Sequence, residues 1–213
     1  FVFFTNKGKC FWRKIHELPE ASLVARGRAL TNLLNLGSEE TVKACVSLTD
    51  FKQDKFLIMT TKRGIVKKTK LEEYSRPRAN GIIAINLKND DELISVQTSS
   101  GTDEIIISTR MGQALRFNED KVRAVGRNSM GVKGINLNKQ DYVVSSEIIK
   151  DKNSQILTVT ENGFGKRTQI EKYRLTSRGG KGVATLKITD KTGEIVNAFQ
   201  TDSESDIILL SSI

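Results

Sequence analysis

The chain has 213 residues, with 34 Lys plus Arg against 25 Asp plus Glu and a formal net charge of +9. A balance this basic makes nucleic acid or another anionic surface the default partner. Two cysteines without a CxxC pair, one histidine and no apolar run of membrane-spanning length argue against a disulfide framework, a metal centre and a membrane anchor, and fit a reducing, cytoplasmic setting. No cofactor is expected. The sequence opens at Phe1 and stops at Ile213, each inside a strand-like apolar run, which reads as a fragment of a longer protein.

Taken in chain order, the predicted elements repeat. The first is Phe1-Val2-Phe3-Phe4-Thr5, a polar turn reaching Gly8, a short basic strand over Lys9 to Lys14, Leu18 in a charged loop, a second glycine at Gly27, and a closing strand Val42–Val46. The second runs from Phe56-Leu57-Ile58-Met59-Thr60 through Gly64, Ile65 to Lys70, Tyr74, Gly81, the alternating Ile83-Ala84-Ile85-Asn86-Leu87 and Leu93 to Val96. The third comprises Ile105 to Thr109, Gly112, Gln113 to Phe117, Val122, Gly131, Val132 to Leu137 and Tyr142 to Ser145. The fourth comprises Ile156 to Thr160, Gly163, Phe164 to Thr168, Tyr173, Gly182 and Ile195 to Phe199, and Ile207-Ile208-Leu209-Leu210 opens a fifth.

Successive starts lie 55, 49, 51 and 51 residues apart, and the two glycines of each repeat are 19, 17, 19 and 19 residues apart. A period near 50 residues with four short strands, two prolines and no helical periodicity predicts an all-β, propeller-like array of four-stranded blades. The repeats divide as residues 1–55, 56–104, 105–155 and 156–206, with the start of a fifth over 207–213. A β-sandwich accounts for many short strands but not for glycines held in this register. Glycine after the first turn supplies the positive φ of a tight hairpin. Leu18, Tyr74, Val122 and Tyr173, all ten residues past the first glycine, are expected to pack rather than react.

The charge is distributed by repeat. Residues 8–28, 62–81, 110–133 and 161–182 together hold 24 basic and 8 acidic side chains, net +16, leaving −7 on the rest. In a radial array such segments line one rim. The expected DNA-binding belt is Arg13, Lys14, Arg26 and Arg28; Lys67, Lys68, Arg76 and Arg78; Arg116, Arg123 and Arg127; and Lys166, Arg167, Arg174, Arg178, Gly179, Gly180 and Lys181. Any one of these cations alone reads as an ordinary solvated charge, and the repetition in register is what calls for a polyanion; Gly179 and Gly180 let backbone N–H groups approach a phosphate closely. A curved belt suits bent duplex DNA held through phosphates, while the absence of an aromatic ladder argues against a single-strand platform. His16 has no repeated partner, and no spacing supports nucleophilic or acid–base catalysis.

Several stretches carry a family resemblance: Thr5-Asn6-Lys7-Gly8-Lys9, Leu18-Pro19-Glu20-Ala21-Ser22 with Ala25-Arg26-Gly27, Val66-Lys67-Lys68-Thr69, Val122-Arg123-Ala124-Val125-Gly126-Arg127, and Glu161-Asn162-Gly163-Phe164-Gly165-Lys166-Arg167-Thr168. Along its whole length the chain resembles the C-terminal, DNA-wrapping domain of the DNA gyrase A subunit. The resemblance implies a β-pinwheel whose blades exchange strands, DNA wrapped on its rim for strand passage, and partnership with the rest of the gyrase A subunit, and through it with the gyrase B subunit. It also implies that catalysis lies elsewhere, on another domain's tyrosine and on ATP held outside this chain. The family's Gln-Arg-Arg-Gly-Gly-Arg/Lys-Gly box is matched only in its second half, by Ser177-Arg178-Gly179-Gly180-Lys181-Gly182 in the fourth repeat. That segment is either an echo of the box or a lengthened loop ending on the repeat's own second glycine. The equivalent domain of topoisomerase IV and a protein-binding propeller scaffold are the alternative readings.

Overall fold

A computed structural model describes residues 1–51, 54–202, 204 and 206–208. The first repeat forms β1 (Val2–Thr5), β2 (Lys9–Trp12) and β3 (Val42–Val46), and the second forms β4 (Phe56–Thr61), β5 (Ile65–Lys70), β6 (Ile82–Ile83) and β7 (Leu93–Ser99). The third supplies β8 (Glu104–Thr109), β9 (Gln113–Asn118), β10 (Val132–Lys133) and β11 (Val143–Ile149). The fourth supplies β12 (Gln155–Thr160), β13 (Gly165–Gln169), β14 (Leu175–Thr176), β15 (Val183–Ala184) and β16 (Ile195–Thr201). The expected hairpins and closing strands are present to within a few residues. Ile207 and Ile208 lie outside any strand, and Leu209 and Leu210 lie outside the described residues.

A repeat is not a blade. The strand after the second glycine leaves its own repeat and joins the sheet of the preceding one, giving the orders β3-β1-β2-β6, β7-β4-β5-β10 and β11-β8-β9-β14, with β15 also on β9. The fourth sheet is β16-β12-β13. The domain is thus all-β, a pinwheel of strand-exchanging blades. The donated strands are shorter than the alternation suggested, two residues each, because the chain then bends to reach the next glycine turn rather than continuing along the sheet. In the first repeat the counterpart region holds a 3₁₀ turn at Leu30–Asn32.

The first glycine is where this exchange is fastened. Gly8 O accepts the N–H groups of Ala84 (2.8 Å) and Ile85 (3.1 Å), Gly64 O those of Gly134 (2.8 Å) and Ile135 (3.3 Å), and Gly112 O that of Thr185 (2.8 Å). These glycines have φ between 76° and 87°, and a Cβ would stand 2.6 Å from Ile85 O at Gly8 and 2.3 Å from Leu186 O at Gly112. Two constraints therefore meet at one residue: a left-handed turn and a backbone approaching too closely for any side chain. Gly163 keeps the φ of 76° but has nothing within 4 Å of its Cβ position.

Along each inner hairpin strand, alternate side chains bury on opposite faces, as period-2 geometry requires. Leu57 and Met59 of β4 join Phe4, Cys10, Leu71, Tyr74 and Ala84 in one inter-sheet core, while Ile58 joins Ile105, Ile107, Leu115 and Val122 in the next. Ile106, Ala114, Ile156, Ile170 and Tyr173 form the third. The long strands β3, β7, β11 and β16 pack beside one another along the inner edges, so the donated strands and their loops lie outward. Tyr74, Val122 and Tyr173 are buried and Leu18 half-buried, in the packing role expected of that position.

Acids in the connections serve the hairpins. Thr5, Thr61 and Thr109 end the first strands and donate their hydroxyls to Glu40 (2.6 Å), Asp91 (2.7 Å) and Asp141 (2.7 Å), all buried. Asp91 and Asp141 also accept turn N–H groups from Arg63 and Met111. In the fourth repeat Gly193 takes the acid's place, and Glu161, from the hairpin itself, accepts the Glu194 N–H instead.

Substituting alanine at the two kinds of first glycine separates the two constraints. Gly163→Ala should cost about 1 kcal/mol, the left-handed penalty alone. Gly112→Ala should cost about 3 kcal/mol or more, because overpacking against Leu186 O is added. Urea unfolding midpoints of the two variants provide the comparison.

Candidate nucleic-acid interface

Between the ten-residue position and the second glycine, each repeat after the first sends a loop across the outer edge of the preceding blade. In the third repeat the Val125 N–H donates to Lys68 O (2.9 Å), and Lys68 and Ala124 form a parallel bridge. In the fourth, Leu175 and Thr176 pair in parallel with Arg116 and Phe117 of β9. The chain then turns back at Gly131 or Gly182 to pair antiparallel as β10 or β15. These crossings carry nine of the eighteen expected belt residues. In the second repeat Pro77 stands where Val125 and Thr176 stand, and it has no N–H to donate.

Arg26, Arg28, Arg76, Arg78, Arg123, Arg167, Arg174 and Lys181 are exposed, and none has an ion pair or a side-chain hydrogen bond among the described residues. Lys14 and Gly180 are exposed, and Gly179 is half-buried. Lys166 is exposed but donates to Thr185 O (2.5 Å). Leu23 and Val24 are also exposed on the first repeat's loop, an apolar tip that the charge count does not reveal.

The remaining belt members are tied down. The Arg13 guanidinium donates to Leu33 O and to Trp12 O. Arg127 donates to Ile83 O (2.7 Å), and Arg178 donates to Lys121 O (2.8 Å) and Lys133 O (3.1 Å), so both tie a crossing loop to the repeat before it. Three cations expected on the rim turn inward instead. Lys68 pairs with the fully buried Glu119 (2.7 Å) of the following repeat and lies 4.4 Å from the Phe56 ring centroid. Arg116 pairs with Glu104 (2.5 Å) and donates to Ile170 O and Tyr173 O across the next seam. Burial alone would raise the pKa of Glu104, but hydrogen bonds from Arg116 and Lys152 outweigh it and hold the carboxyl below its ordinary range.

Lys67 is the third, with 0% exposure, and it donates to Ala84 O (2.7 Å) and to Arg127 O. Tyr74 OH donates to the same Ala84 carbonyl at 3.0 Å. The fourth repeat repeats the pair, with Lys166 on Thr185 O and Tyr173 OH 2.6 Å from Thr185 Oγ1. Repeats one and three place Phe11 with Leu18 and Leu115 with Val122 at the same two positions. A polar pair and an apolar pair therefore alternate along the chain at the seam between blades. This co-variation is written in the sequence three and ten residues after the first glycine, yet its meaning depends on which carbonyl the exchanged strand presents there.

Desolvation first, and the nearby Arg127 charge second, lower the Lys67 pKa from 10.5 to about 7. Over the range between about pH 7 and pH 9 the folded chain therefore binds fewer protons than the unfolded one, and stability rises with pH. Above that range the burial-raised Cys10 and Tyr74 act in the opposite sense. Lys67→Met should flatten the rise between pH 7 and pH 9, as read from urea unfolding at a series of pH values.

No helix among the described residues is long and apolar enough to cross a membrane. Comparison with known proteins agrees with the geometry. The family model described as "DNA gyrase C-terminal domain, beta-propeller" matches residues 1–47, 55–100, 103–150 and 154–202. The DNA gyrase A subunit of Salmonella typhimurium is 44% identical over 208 residues, covering 98% of this chain and 24% of that protein. Its counterpart in Staphylococcus epidermidis is 40% identical over 213 residues, covering 99% of this chain and 24% of its own. The chain thus spans about a quarter of the length of these curated relatives. Among solved structures, the C-terminal domain of DNA topoisomerase IV superposes with a TM-score of 0.87 at 31% identity, covering 94% of this chain and 63% of that one. The DNA gyrase A C-terminal domain superposes with 0.81 at 26% identity, covering 94% and 65%. With four matched segments along the chain and strands exchanged between successive blades, this protein belongs to the DNA gyrase C-terminal domain family of β-propellers.

Proposed function

We propose that this chain binds duplex DNA along its outer crossing loops and bends it, as the non-catalytic wrapping part of a DNA gyrase that introduces negative supercoils. The observation that carries this reading is the set of eight exposed cations without an internal partner among the described residues, present in all four repeats and, Arg167 of β13 apart, on the loops that lead to and turn at the second glycine. Cations that serve the fold, such as the buried Lys67 and Lys68 and the half-buried Arg116, are held against carbonyls and carboxylates. The unpaired set is what remains for phosphates, whose affinity comes from counterion release and whose sequence preference comes from deformability. The proposed partners are duplex DNA, the rest of the gyrase A subunit and, through it, the gyrase B subunit. Residues 1–55, 56–104, 105–155 and 156–206 are proposed as the repeat units, with a fifth starting at 207. The topoisomerase IV reading is favoured by the superposition with that enzyme's C-terminal domain, while the sequence relatives above are gyrase subunits.

A duplex of about 40 base pairs, end-labelled for energy transfer, tests the proposal across a salt series. The expected outcome is closer ends on binding and a slope of log affinity against log salt of about −5 to −7. Arg76→Gln with Arg78→Gln should reduce the magnitude of that slope by about 2. Binding without approach of the ends would exclude bending by this chain.

A further inference from the structure

The crossing loops of the second, third and fourth repeats are not fastened alike. In the third, the Val125 N–H donates to Lys68 O (2.9 Å), the Arg127 side chain donates to Ile83 O (2.7 Å), and Lys67 reaches back to Arg127 O. In the fourth, Leu175 and Thr176 pair with β9, Arg178 donates to two carbonyls of the third repeat, and the Gly179 N–H donates to Gly134 O (2.5 Å). Among the described residues, the second repeat's loop over 75–80 makes no bond of this kind to the repeat before it. Pro77 lacks the N–H that Val125 uses. Ala79 stands where Arg127 and Arg178 stand, five residues past the ten-residue position. The loop's backbone bonds stay within its own repeat, Ser75 N–H to Glu72 O (3.0 Å) and Gly81 N–H to Arg78 O (2.9 Å). All six of its residues are exposed, whereas Val125, Arg127, Thr176, Arg178 and Gly179 are half-buried on the other two loops.

The seam beneath this loop is also built differently. Four residues past the first glycine, Lys68 pairs with Glu119, donates to Gly101 O (3.0 Å) and lies over the Phe56 ring. Arg116, at the same position one repeat later, donates to Ile170 O and Tyr173 O. The first repeat has Trp12 there, and Leu71 takes the place of Glu119. An apolar core holds the two sheets together, but apolar contact is non-directional and does not fix a loop at the rim. A cleft of about 870 Å³ lies between Trp12, Ile15 and Phe51 on one side and Pro77 and Arg78 on the other, against about 160 Å³ beneath the fourth repeat's loop. Both ends of the loop are anchored. Tyr74 OH donates to Ala84 O (3.0 Å), and Gly81, at φ 72°, closes so tightly that a Cβ would stand 2.8 Å from the Phe11 ring.

We infer that residues 75–80 form a mobile strap over the first seam, hinged at Tyr74 and Gly81, which opens and closes the cleft while the crossing loops of the third and fourth repeats stay shut. Six exposed residues with no bond to the neighbouring blade have little to set against conformational entropy. Trp12, on the cleft wall, keeps its indole N–H buried without a partner among the described residues, and water admitted by an opening strap satisfies that donor. The strap gives Arg76 and Arg78 adjustable positions, whereas Arg123 and Arg174 ride on fixed loops. That consequence rests on the DNA-bending reading; the mobility does not.

Nitrogen-15 relaxation of the 213-residue chain tests the strap. Order parameters of Arg76, Arg78 and Ala79 should fall below about 0.6, while residues 124–128 and 176–179 stay near about 0.85. Val125→Pro with Arg127→Ala gives the third loop the second loop's residue types and should lower its order parameters to about the strap's value, with a thermal melt to verify the fold. Equal, high order parameters in all three loops would overturn the strap, and a third loop that stays rigid in the double variant would overturn the assignment of rigidity to these bonds. Saturation with the 40-base-pair duplex should raise the strap to about 0.85. A strap still mobile in the saturated complex would overturn the adjustable seating of Arg76 and Arg78 and leave the free-chain result standing. Absence of duplex binding would remove the bending reading, and relaxation of the free chain would still decide the strap.

Discussion

The carbonyl of the first glycine in each of the first three repeats is the constraint on which the rest of the structure depends. It accepts N–H groups from a segment about 70 to 77 residues further along, and the donated strand can reach it only because no side chain stands between. Once that contact forms, the third strand of a repeat belongs to its neighbour's sheet, and no blade of the first three is complete without the repeat that follows. Stability of such an array is dominated by interfaces between neighbours rather than by each unit alone. The three inter-sheet cores, each drawing on consecutive repeats, are the apolar side of the same dependence.

Exchange also decides where charge can go. A strand that crosses to the preceding sheet must carry its connecting loop over the outer edge, so the basic crossing segments are placed outward by topology rather than by their own polarity. Inside the seams the same exchange brings backbone carbonyls to positions that need donors. Lys67 and Lys166 meet them at two seams, while Phe11 and Leu115 leave the others apolar. A buried cation is tolerated only when its hydrogen bonds are supplied. Lys68 on Glu119 and Arg116 on Glu104 satisfy that condition with buried carboxylates and bind consecutive repeats together. The connection acids are likewise internal components, because Glu40, Asp91 and Asp141 lock the hairpins through the threonines that end the first strands.

For function, the division between committed and uncommitted cations matters more than the net charge. Arginines 127 and 178, which read as DNA contacts, are spent on carbonyls of the preceding repeat and so fix the loops on which Arg123, Arg174 and Lys181 ride. A loop held this firmly presents its free charges at a defined spacing, which suits a stiff, regularly charged ligand. In the proposed DNA-bending role, a polyanion would meet a surface whose geometry is set by the seams between blades and would take on its curvature.

By itself the sequence determined the period, the hairpin glycines, the all-β class and the family, because a 50-residue self-similarity with positive-φ glycines in register has few architectural solutions. Packing of Tyr74, Val122 and Tyr173 was legible for the same reason: one repeat position has one environment. What only the tertiary structure decided was which repeat owns each strand and which side of the sheet each cation faces. The belt positions on β5 and β9 alternate with their neighbours at period two, and both faces of these sheets are buried, so a basic residue there is turned into a seam. Whether such a residue is then a structural donor or an open charge depends on carbonyls and acids delivered by a different repeat, and local sequence carries no record of that delivery.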